Sequence, residues 1–321
     1  MALRDIIGQE KAVRILSGTI RRDRIPSSIL LSGDSGIGKR LTALNYAKAL
    51  NCLNLIDSDA CDSCVSCRKI DGEIHPDVTT ILPENDEIKI ETIRRAEEIL
   101  SLRPYEGKKK VIIVDDADTM NINAANAFLK TLEEPPDDSI IVLLSASPDR
   151  LPDTIRSRCM HIRCHPISSE AFARVLAIKA PDKNLGQFAR LAMGRPGIGI
   201  SKDFVKEKKW FTDILTSMAR GETRCAWADK KDMKVWLDLS LILLRDMAVF
   251  GITGRDTDLL YGGSHPAGDL RRVLDASRRL QKVRSLLDLN LNKSITWNFV
   301  SGIIQNIVEP VAISTPRTSR S

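Results

Sequence analysis

The residues best suited to chemistry form a glycine-rich loop, Gly33-Asp-Ser-Gly-Ile-Gly-Lys-Arg40. The spacing G-x-x-x-x-G-K is typical of a loop whose backbone N–H groups surround phosphate oxygens and whose lysine contacts a phosphate. The candidate nucleotide-binding residues are therefore Gly33, Gly36, Gly38 and Lys39. Arg40 stands where a serine or threonine hydroxyl normally holds Mg²⁺. We expect a phosphate-binding loop that has lost part of its hydrolytic machinery.

An apolar run that ends in carboxylates supplies the second part of such a site. Val111–Val114 predicts a buried strand, and Asp115 and Asp116 follow it directly. Asp115 is the candidate Mg²⁺ partner, but the next position, usually a glutamate that activates water, holds the shorter Asp116. We expect no ATPase activity from the chain alone. Because Lys39 and the glycines remain, the loop could bind nucleotide weakly without metal, but we do not expect ATP with Mg²⁺ to occupy it.

Four cysteines, Cys52, Cys61, Cys64 and Cys67, follow the pattern C-x₈-C-x₂-C-x₂-C. Two-residue gaps let neighbouring thiolates converge on one ion, and four thiolates suit tetrahedral Zn²⁺ with no position left for water. An iron–sulfur cluster is the main alternative, because C-x₂-C-x₂-C also occurs in ferredoxins. The ferredoxin proline is absent and several aspartates surround the cysteines, which favours a structural zinc knuckle.

A Ser-Arg-Cys triplet, Ser157–Cys159, places one arginine in an otherwise ordinary stretch. An isolated arginine is usually a surface charge. A planar guanidinium beside a subunit boundary, however, stabilises the charge that develops on a transferring phosphoryl group. The triplet is a weak motif by itself, and its interpretation depends on the other motifs.

The elements that must position these residues alternate between strands and helices over residues 1–165. Such alternation predicts a parallel sheet covered by helices on both faces. The predicted strands are Ser28–Ser32, Val78–Leu82, Val111–Val114 and Ile140–Ser145, and the predicted helices include 41–50, 90–101 and 123–134. From about residue 206 onward the sequence predicts helices alone, among them an amphipathic helix over 271–287 with one apolar and one basic face.

Composition and charge exclude some classes of protein. No segment has the roughly 18 consecutive apolar residues that cross a bilayer, and the N-terminus lacks the apolar core of a signal peptide, so we expect a cytoplasmic protein without a membrane partner. The formal net charge is +6. Acidic and basic residues balance over residues 1–205, so the basic excess lies entirely in residues 206–321, which is weak evidence for direct binding of nucleic acid.

Taken together, the motifs resemble one family. The incomplete phosphate loop, the four cysteines, the acidic strand Val111–Asp118, the run Asn123-Ala-Ala-Asn-Ala-Phe-Leu-Lys-Thr-Leu-Glu-Glu-Pro-Pro136 and the Ser-Arg-Cys triplet occur in that order. This series resembles the clamp-loader branch of the AAA+ ATPases, specifically the bacterial DNA polymerase III clamp loader. The resemblance implies an α/β AAA+ module over 1–165 with a zinc knuckle at about 52–67, a small helical lid over 166–205 and an all-α collar for oligomerisation over 206–321.

Two subunit types of that family differ at the nucleotide site. Motor subunits (gamma/tau) carry Gly-Lys-Thr or Gly-Lys-Ser, Asp-Glu and an arginine soon after the lid glycine. This chain has Arg40, Asp116 and Gly197 at those places, and the three departures favour the non-motor, delta-prime type. Arg195, two residues before Gly197, is the alternative candidate for the lid arginine. In the delta-prime type, Arg158 would act in trans on a phosphate bound by a neighbouring ATPase subunit.

The resemblance also implies partners. A delta-prime subunit joins motor subunits and a delta subunit in a hetero-pentameric ring that loads the sliding clamp on primed DNA during replication, as an accessory to DNA polymerase. An active motor subunit, which would hydrolyse ATP, is one alternative. A non-enzymatic module that binds zinc and nucleic acid is the other, and the balanced charge of residues 1–205 argues against it.

Overall fold

The chain folds into two compact units, one of Met1–Leu185 with Ala192–Ile200 and one of Gly186–Leu191 with Ser201–Ser321. The computed structural model describes residues 1–179, 194–197, 203–219, 225, 227–254, 269–287 and 291–307. A separate lid over 166–205 and a collar over 206–321 stay predictions. Much of the expected lid lies outside the described residues.

A five-stranded sheet with the order β2-β3-β4-β1-β5 forms the centre of the first unit. The strands are β1 (Ser28–Ser32), β2 (Val78–Ile81), β3 (Lys110–Val114), β4 (Ser139–Ser145) and β5 (Met160–Arg163). Every pairing is parallel. All residues of β1, β3 and β4 are buried, as expected of a parallel sheet that is covered on both faces.

Alternate residues of the central strands enter two different cores. Leu31 and Ile113 pack in one core with the helices that flank the phosphate loop, while Leu30 and Ile112 pack in a second core on the opposite face. Because side chains alternate along a strand, each apolar run supplies both cores at once. The predicted parallel sheet with helices on both faces is confirmed.

Seven α-helices of the first unit lie within the described residues. They are α1 (Glu10–Arg21), α2 (Lys39–Asn51), α3 (Val65–Asp71), α4 (Ile90–Ser101), α5 (Ile122–Glu133), α6 (Asp153–Arg156) and α7 (Ser169–Lys179). The side chain of Asn121 accepts a hydrogen bond from the N–H of Ala124 at 2.8 Å and so begins α5. The helix ends directly before Glu134 and Pro135-Pro136, since proline cannot continue it.

The second unit is helical in the part that the structure describes. Its helices are α8 (Asp203–Ala219), α9 (Lys230–Thr253), α10 (Leu270–Ser285) and α11 (Lys293–Gln305). Three tryptophans, Trp227, Trp236 and Trp297, pack edge to face with ring centroids 5.1–5.8 Å apart. The predicted amphipathic helix is present as α10. None of the described helices of the chain is long and apolar enough to span a membrane.

Candidate functional site

The phosphate-type loop lies between β1 and α2, where the glycines permit a backbone that other residues resist. Gly33, Gly36 and Gly38 all have positive φ, at 144°, 81° and 100°. A Cβ on Gly33 would lie 2.4 Å from the carbonyl oxygen of Cys164, so only glycine fits there. The structure therefore brings the predicted glycines into one tight turn at the carboxyl end of β1, where ligands bind in folds of this kind.

Lys39 opens α2 and turns back onto its own loop. Its ammonium donates hydrogen bonds to the carbonyl oxygens of Gly33 at 2.7 Å and Asp34 at 3.0 Å. The residue is buried, and burial lowers the pKa of Lys39, although Asp116, Asp115 and Asp118 oppose that shift. These three aspartates follow β3, so the carboxylates at the end of that strand lie close enough to Lys39 to affect its pKa.

Arg40 pairs with a carboxylate that no sequence motif predicts. Its guanidinium donates to both oxygens of Glu73, at 3.0 and 2.9 Å. Glu73 follows α3 and lies 33 positions after Arg40, so no local sequence pattern predicts the pair. A guanidinium has five donors and no acceptor, and therefore it cannot supply the oxygen ligand that Mg²⁺ requires at this position.

A short segment of the first unit, Gly194–Gly197, closes directly against the loop. The N–H of Gly197 donates to the carbonyl oxygen of Gly36 at 2.8 Å. A Cβ on Gly197 would lie 2.9 Å from the Cα of Gly36. At the other end of the segment, the carbonyl oxygen of Gly194 accepts from the N–H of Ile167 at 2.9 Å. The absence of a side chain at Gly197 thus permits a backbone-to-backbone contact with the loop.

The four predicted metal ligands, Cys52, Cys61, Cys64 and Cys67, meet in one place. All four sulfurs lie within 4.8 Å of one another. Two of the separations are 3.7 Å, between Cys52 and Cys67, and 4.0 Å, between Cys61 and Cys67. A tetrahedral zinc ion with Zn–S bonds of about 2.3 Å requires sulfur–sulfur distances of about 3.8 Å. The arrangement could therefore hold a metal such as zinc.

Backbone N–H groups donate hydrogen bonds to three of the four sulfurs, and at Cys61 such bonds favour the thiolate, whereas burial raises the pKa of Cys52 and of Cys67. The backbone N–H groups of Cys61, Cys64 and Cys67 donate to the sulfurs of Cys52, Cys61 and Cys64 at 3.3–3.4 Å. The Ser63 hydroxyl and the N–H groups of Ser63 and Cys64 lower the pKa of Cys61 to about 6, which favours its thiolate. Cys52 and Cys67 are fully buried within the first core, so the cluster is part of the folded unit.

Asp59, within the same knuckle, fastens the N-terminal segment. Its carboxylate accepts the N–H groups of Leu3 at 3.1 Å and Arg4 at 2.9 Å. Leu3 is fully buried in the first core. The knuckle therefore connects the first residues of the chain to α2 and α3. A metal bound to the four cysteines would stabilise this connection.

Arg158 lies at the opposite end of the sheet from the chain's own loop. It follows α6 and precedes β5, whose first residue pairs with Ile29 near the start of β1, whereas the loop follows Ser32 at the end of β1. About a third of the side chain is exposed, 34%. Its guanidinium donates to the carbonyl oxygen of Thr154 at 2.8 Å and forms an ion pair with Glu133. The structure thus does not bring Arg158 to the loop of its own chain.

Comparison with known proteins identifies the first unit. A family model described as "DNA polymerase III, delta subunit" matches residues 8–168. A DNA polymerase III subunit delta' of Bacillus subtilis is 37% identical over 51% of this chain and 49% of its own length. A DNA polymerase III subunit gamma of Buchnera aphidicola is 38% identical over 54% of this chain and 48% of its own. The chain therefore spans about half the length of these curated relatives.

Two further proteins are similar to this chain. A subunit delta' of Pseudomonas aeruginosa is 37% identical over 48% of this chain and 48% of its own length. Among solved structures, a DNA polymerase III gamma subunit-related protein of Thermotoga maritima covers 91% of this chain at 18% identity, with a TM-score of 0.49.

Proposed function

This chain belongs to the delta-prime family of DNA polymerase III clamp-loader subunits, and on that premise we propose that it is a non-motor subunit of the complex. In this role it joins gamma/tau motor subunits and a delta subunit in a five-membered ring in the bacterial cytoplasm. The ring loads the sliding clamp on primed DNA during replication. The lid over 166–205 and the collar over 206–321 belong to this proposal.

The observation that carries the non-motor role is the state of the phosphate loop. Arg40 stands at the Mg²⁺-ligand position and is held by Glu73. Lys39 is bound to carbonyl oxygens of its own loop, and Gly197 donates to Gly36. A motor needs the metal ligand, a lysine directed at phosphate and a polar group from the lid. The metal ligand and the lid group are replaced here by Arg40 and Gly197, which make contacts within the chain, whereas the lysine is retained as Lys39.

Arg158 is proposed to act on a nucleotide bound by a neighbouring subunit. Its position at the opposite end of β1 from the loop supports action in trans. The ion pair with Glu133 does not forbid it, since exposed pairs of this kind contribute about 0–1 kcal/mol. In a neighbour's site the guanidinium would approach the transferring phosphoryl group and stabilise the charge that spreads over its oxygens.

Zinc is proposed as the metal of the four-cysteine cluster, with Cys52, Cys61, Cys64 and Cys67 as its ligands. A bound zinc would supply a structural crosslink, since four sulfurs leave no coordination position for water. Asp59 and the N-terminal segment would gain order from that crosslink. No step of ATP hydrolysis involves this site.

An active motor subunit is the second candidate, because the glycines, Lys39 and Asp115 are all retained and several relatives are named gamma or tau. ATP hydrolysis by the purified chain, with Mg²⁺ and with or without primed DNA, separates the two. We expect no turnover from the chain alone and turnover when motor subunits are added. Robust turnover by the chain alone would refute the non-motor role and favour the motor assignment.

A further inference from the structure

A basic cavity lies beside the start of β1 and β5, away from the phosphate loop and the cysteine cluster. Its volume is about 660 Å³, within the range of about 300–1,000 Å³ that is usual for binding sites. Its lining includes three arginines, Arg14, Arg22 and Arg24, and an apolar part formed by Ile15, Ile25 and Met160.

The three arginines are available for an anionic partner. All three are exposed, and no acidic side chain lines the cavity. Within residues 1–179 and the other described ranges, none of the three forms an ion pair. The dipole of α1 accounts for a basic residue at its end, such as Arg22, but not for Arg14 within the helix or Arg24 beyond it. Guanidinium groups bind carboxylates with two parallel hydrogen bonds.

The position of the cavity indicates which partner it meets. Met160 directly follows the Ser157–Cys159 segment, so the cavity borders the surface that carries Arg158. If Arg158 acts on a neighbouring subunit, as proposed above, that subunit lies against this surface. The inference that follows rests on that proposed function.

Nucleic acid fits the cavity less well. Acidic and basic residues balance over residues 1–205, so the unit lacks the broad positive field that draws DNA toward a protein. Contacts with nucleic-acid phosphates also need no apolar surface, whereas part of this cavity is lined by Ile15, Ile25 and Met160. A peptide that carries a carboxylate next to an apolar side chain satisfies both parts of the lining.

We propose that this cavity binds an acidic protein segment, with carboxylates next to an apolar side chain, which the neighbouring subunit of the assembled complex presents. The arginines hold the carboxylates, and the apolar part of the lining receives the adjacent side chain. This contact would be additional to the one made by Arg158.

The test measures the dissociation constant between the full-length chain and the gamma/tau-type motor subunit of the same bacterium. The test variant carries Arg14→Glu, Arg22→Glu and Arg24→Glu. A matched variant carries Lys11→Glu, Arg94→Glu and Arg95→Glu, three exposed basic residues of the same unit that lie outside the cavity. A third variant replaces the cavity arginines by lysine, which keeps the charge and loses the paired hydrogen bonds. Circular dichroism melts verify that each variant folds.

We expect the cavity Arg→Glu variant to raise the dissociation constant at least about tenfold at low salt, with a smaller effect at high salt because ions screen exposed charges. The matched variant should change it less than about threefold, and the lysine variant should fall between them. A folded cavity variant that binds like wild type overturns the inference while leaving the proposed function intact. No complex with wild type would refute the proposed function and this inference with it. If fluorescence anisotropy shows that the cavity variant loses primed DNA but keeps the motor subunit, a nucleic-acid site replaces this one.

Discussion

Replacing Gly197 by alanine tests the contact between the Gly194–Gly197 segment and the phosphate loop. The added Cβ would lie 2.9 Å from the Cα and 3.0 Å from the carbonyl oxygen of Gly36. Ordinary contact begins near 3.4 Å, so the two backbones must separate by about half an ångström. The hydrogen bond from Gly197 to Gly36, now 2.8 Å, would then lengthen beyond a good distance.

The loss of stability caused by Gly197→Ala has two parts. The weakened hydrogen bond contributes about 0.5–1.5 kcal/mol, and overpacking contributes about 1–3 kcal/mol when the surrounding residues do not shift. Because the segment can shift, we expect Gly197→Ala to destabilise the first unit by about 1–3 kcal/mol. For a unit of this size each kcal/mol lowers the melting temperature by about 2–4 °C. Differential scanning calorimetry of the full chain measures the change.

Gly18→Ala is the matched control, because nothing lies within 4 Å of the Cβ that it adds. Gly18 lies within α1, where alanine is the better helix former by about 1 kcal/mol. The control should therefore melt at or above the wild-type temperature. If Gly197→Ala also melts at or above that temperature, the close approach of Gly197 to Gly36 is not a feature of the folded protein.

Three further changes have definite expected outcomes. Removal of zinc by a strong chelator should lower the melting temperature of the first unit by several degrees, since structural zinc contributes folding energy. An unchanged melting temperature, in a sample that metal analysis shows to have lost its zinc, would contradict this. Asp77→Asn should lower the free energy of unfolding by about 2–4 kcal/mol at pH 7, because the buried carboxylate accepts hydrogen bonds from three backbone N–H groups at 2.7–2.8 Å. Burial raises the pKa of Asp77, but these donors and Lys110 outweigh it and hold the pKa below its usual value. The stabilisation by the Asp77 carboxylate is therefore present above about pH 4 and is lost as the pH falls through the lowered pKa. Chemical denaturation should show a smaller difference in unfolding free energy between wild type and variant near pH 3 than at pH 7. Arg40→Thr restores the missing hydroxyl but leaves Asp116 and Gly197 in place, so a phosphate-release assay should still detect no ATP turnover by the chain alone; measurable turnover would show that Arg40 alone disables the loop.

The central sheet could be predicted from the sequence because its strands are buried on both faces. Continuous apolar runs identified β1, β3 and β4, and β2 ended at Ile81, one residue earlier than expected. The sequence does not predict β5, because β5 is an edge strand with a single buried residue, Ile162, among exposed ones. Such a segment has too little hydrophobic signal to distinguish it from a loop.

The cysteine cluster and the loop glycines were predicted because spacing along the chain determines them. The cysteines meet as their two-residue gaps require, and Gly33 adopts the positive φ that its motif demands. The pairs Arg40–Glu73 and Arg158–Glu133 could not be predicted. Each joins residues more than twenty positions apart, and one charge on a surface gives no indication of which opposite charge will lie beside it.

The trans action of Arg158 is the central claim, and one assay tests it directly. Complexes are reconstituted with motor subunits and with the wild-type chain, Arg158→Ala or Arg156→Ala, and primed-DNA-stimulated ATP hydrolysis is measured. Arg156 is the matched control, because it lies two residues away and pairs with Asp149 and Asp153 of its own chain.

We expect Arg158→Ala to assemble and to retain its metal but to lower the total rate of hydrolysis by at least the share of the one site that Arg158 contacts. Removing such an arginine from a single site costs about 10³–10⁵ in rate, and the unaffected sites of a ring would dilute that loss. Arg156→Ala should hydrolyse ATP at close to the wild-type rate. An assembled Arg158→Ala complex with wild-type hydrolysis would remove Arg158 from the reaction.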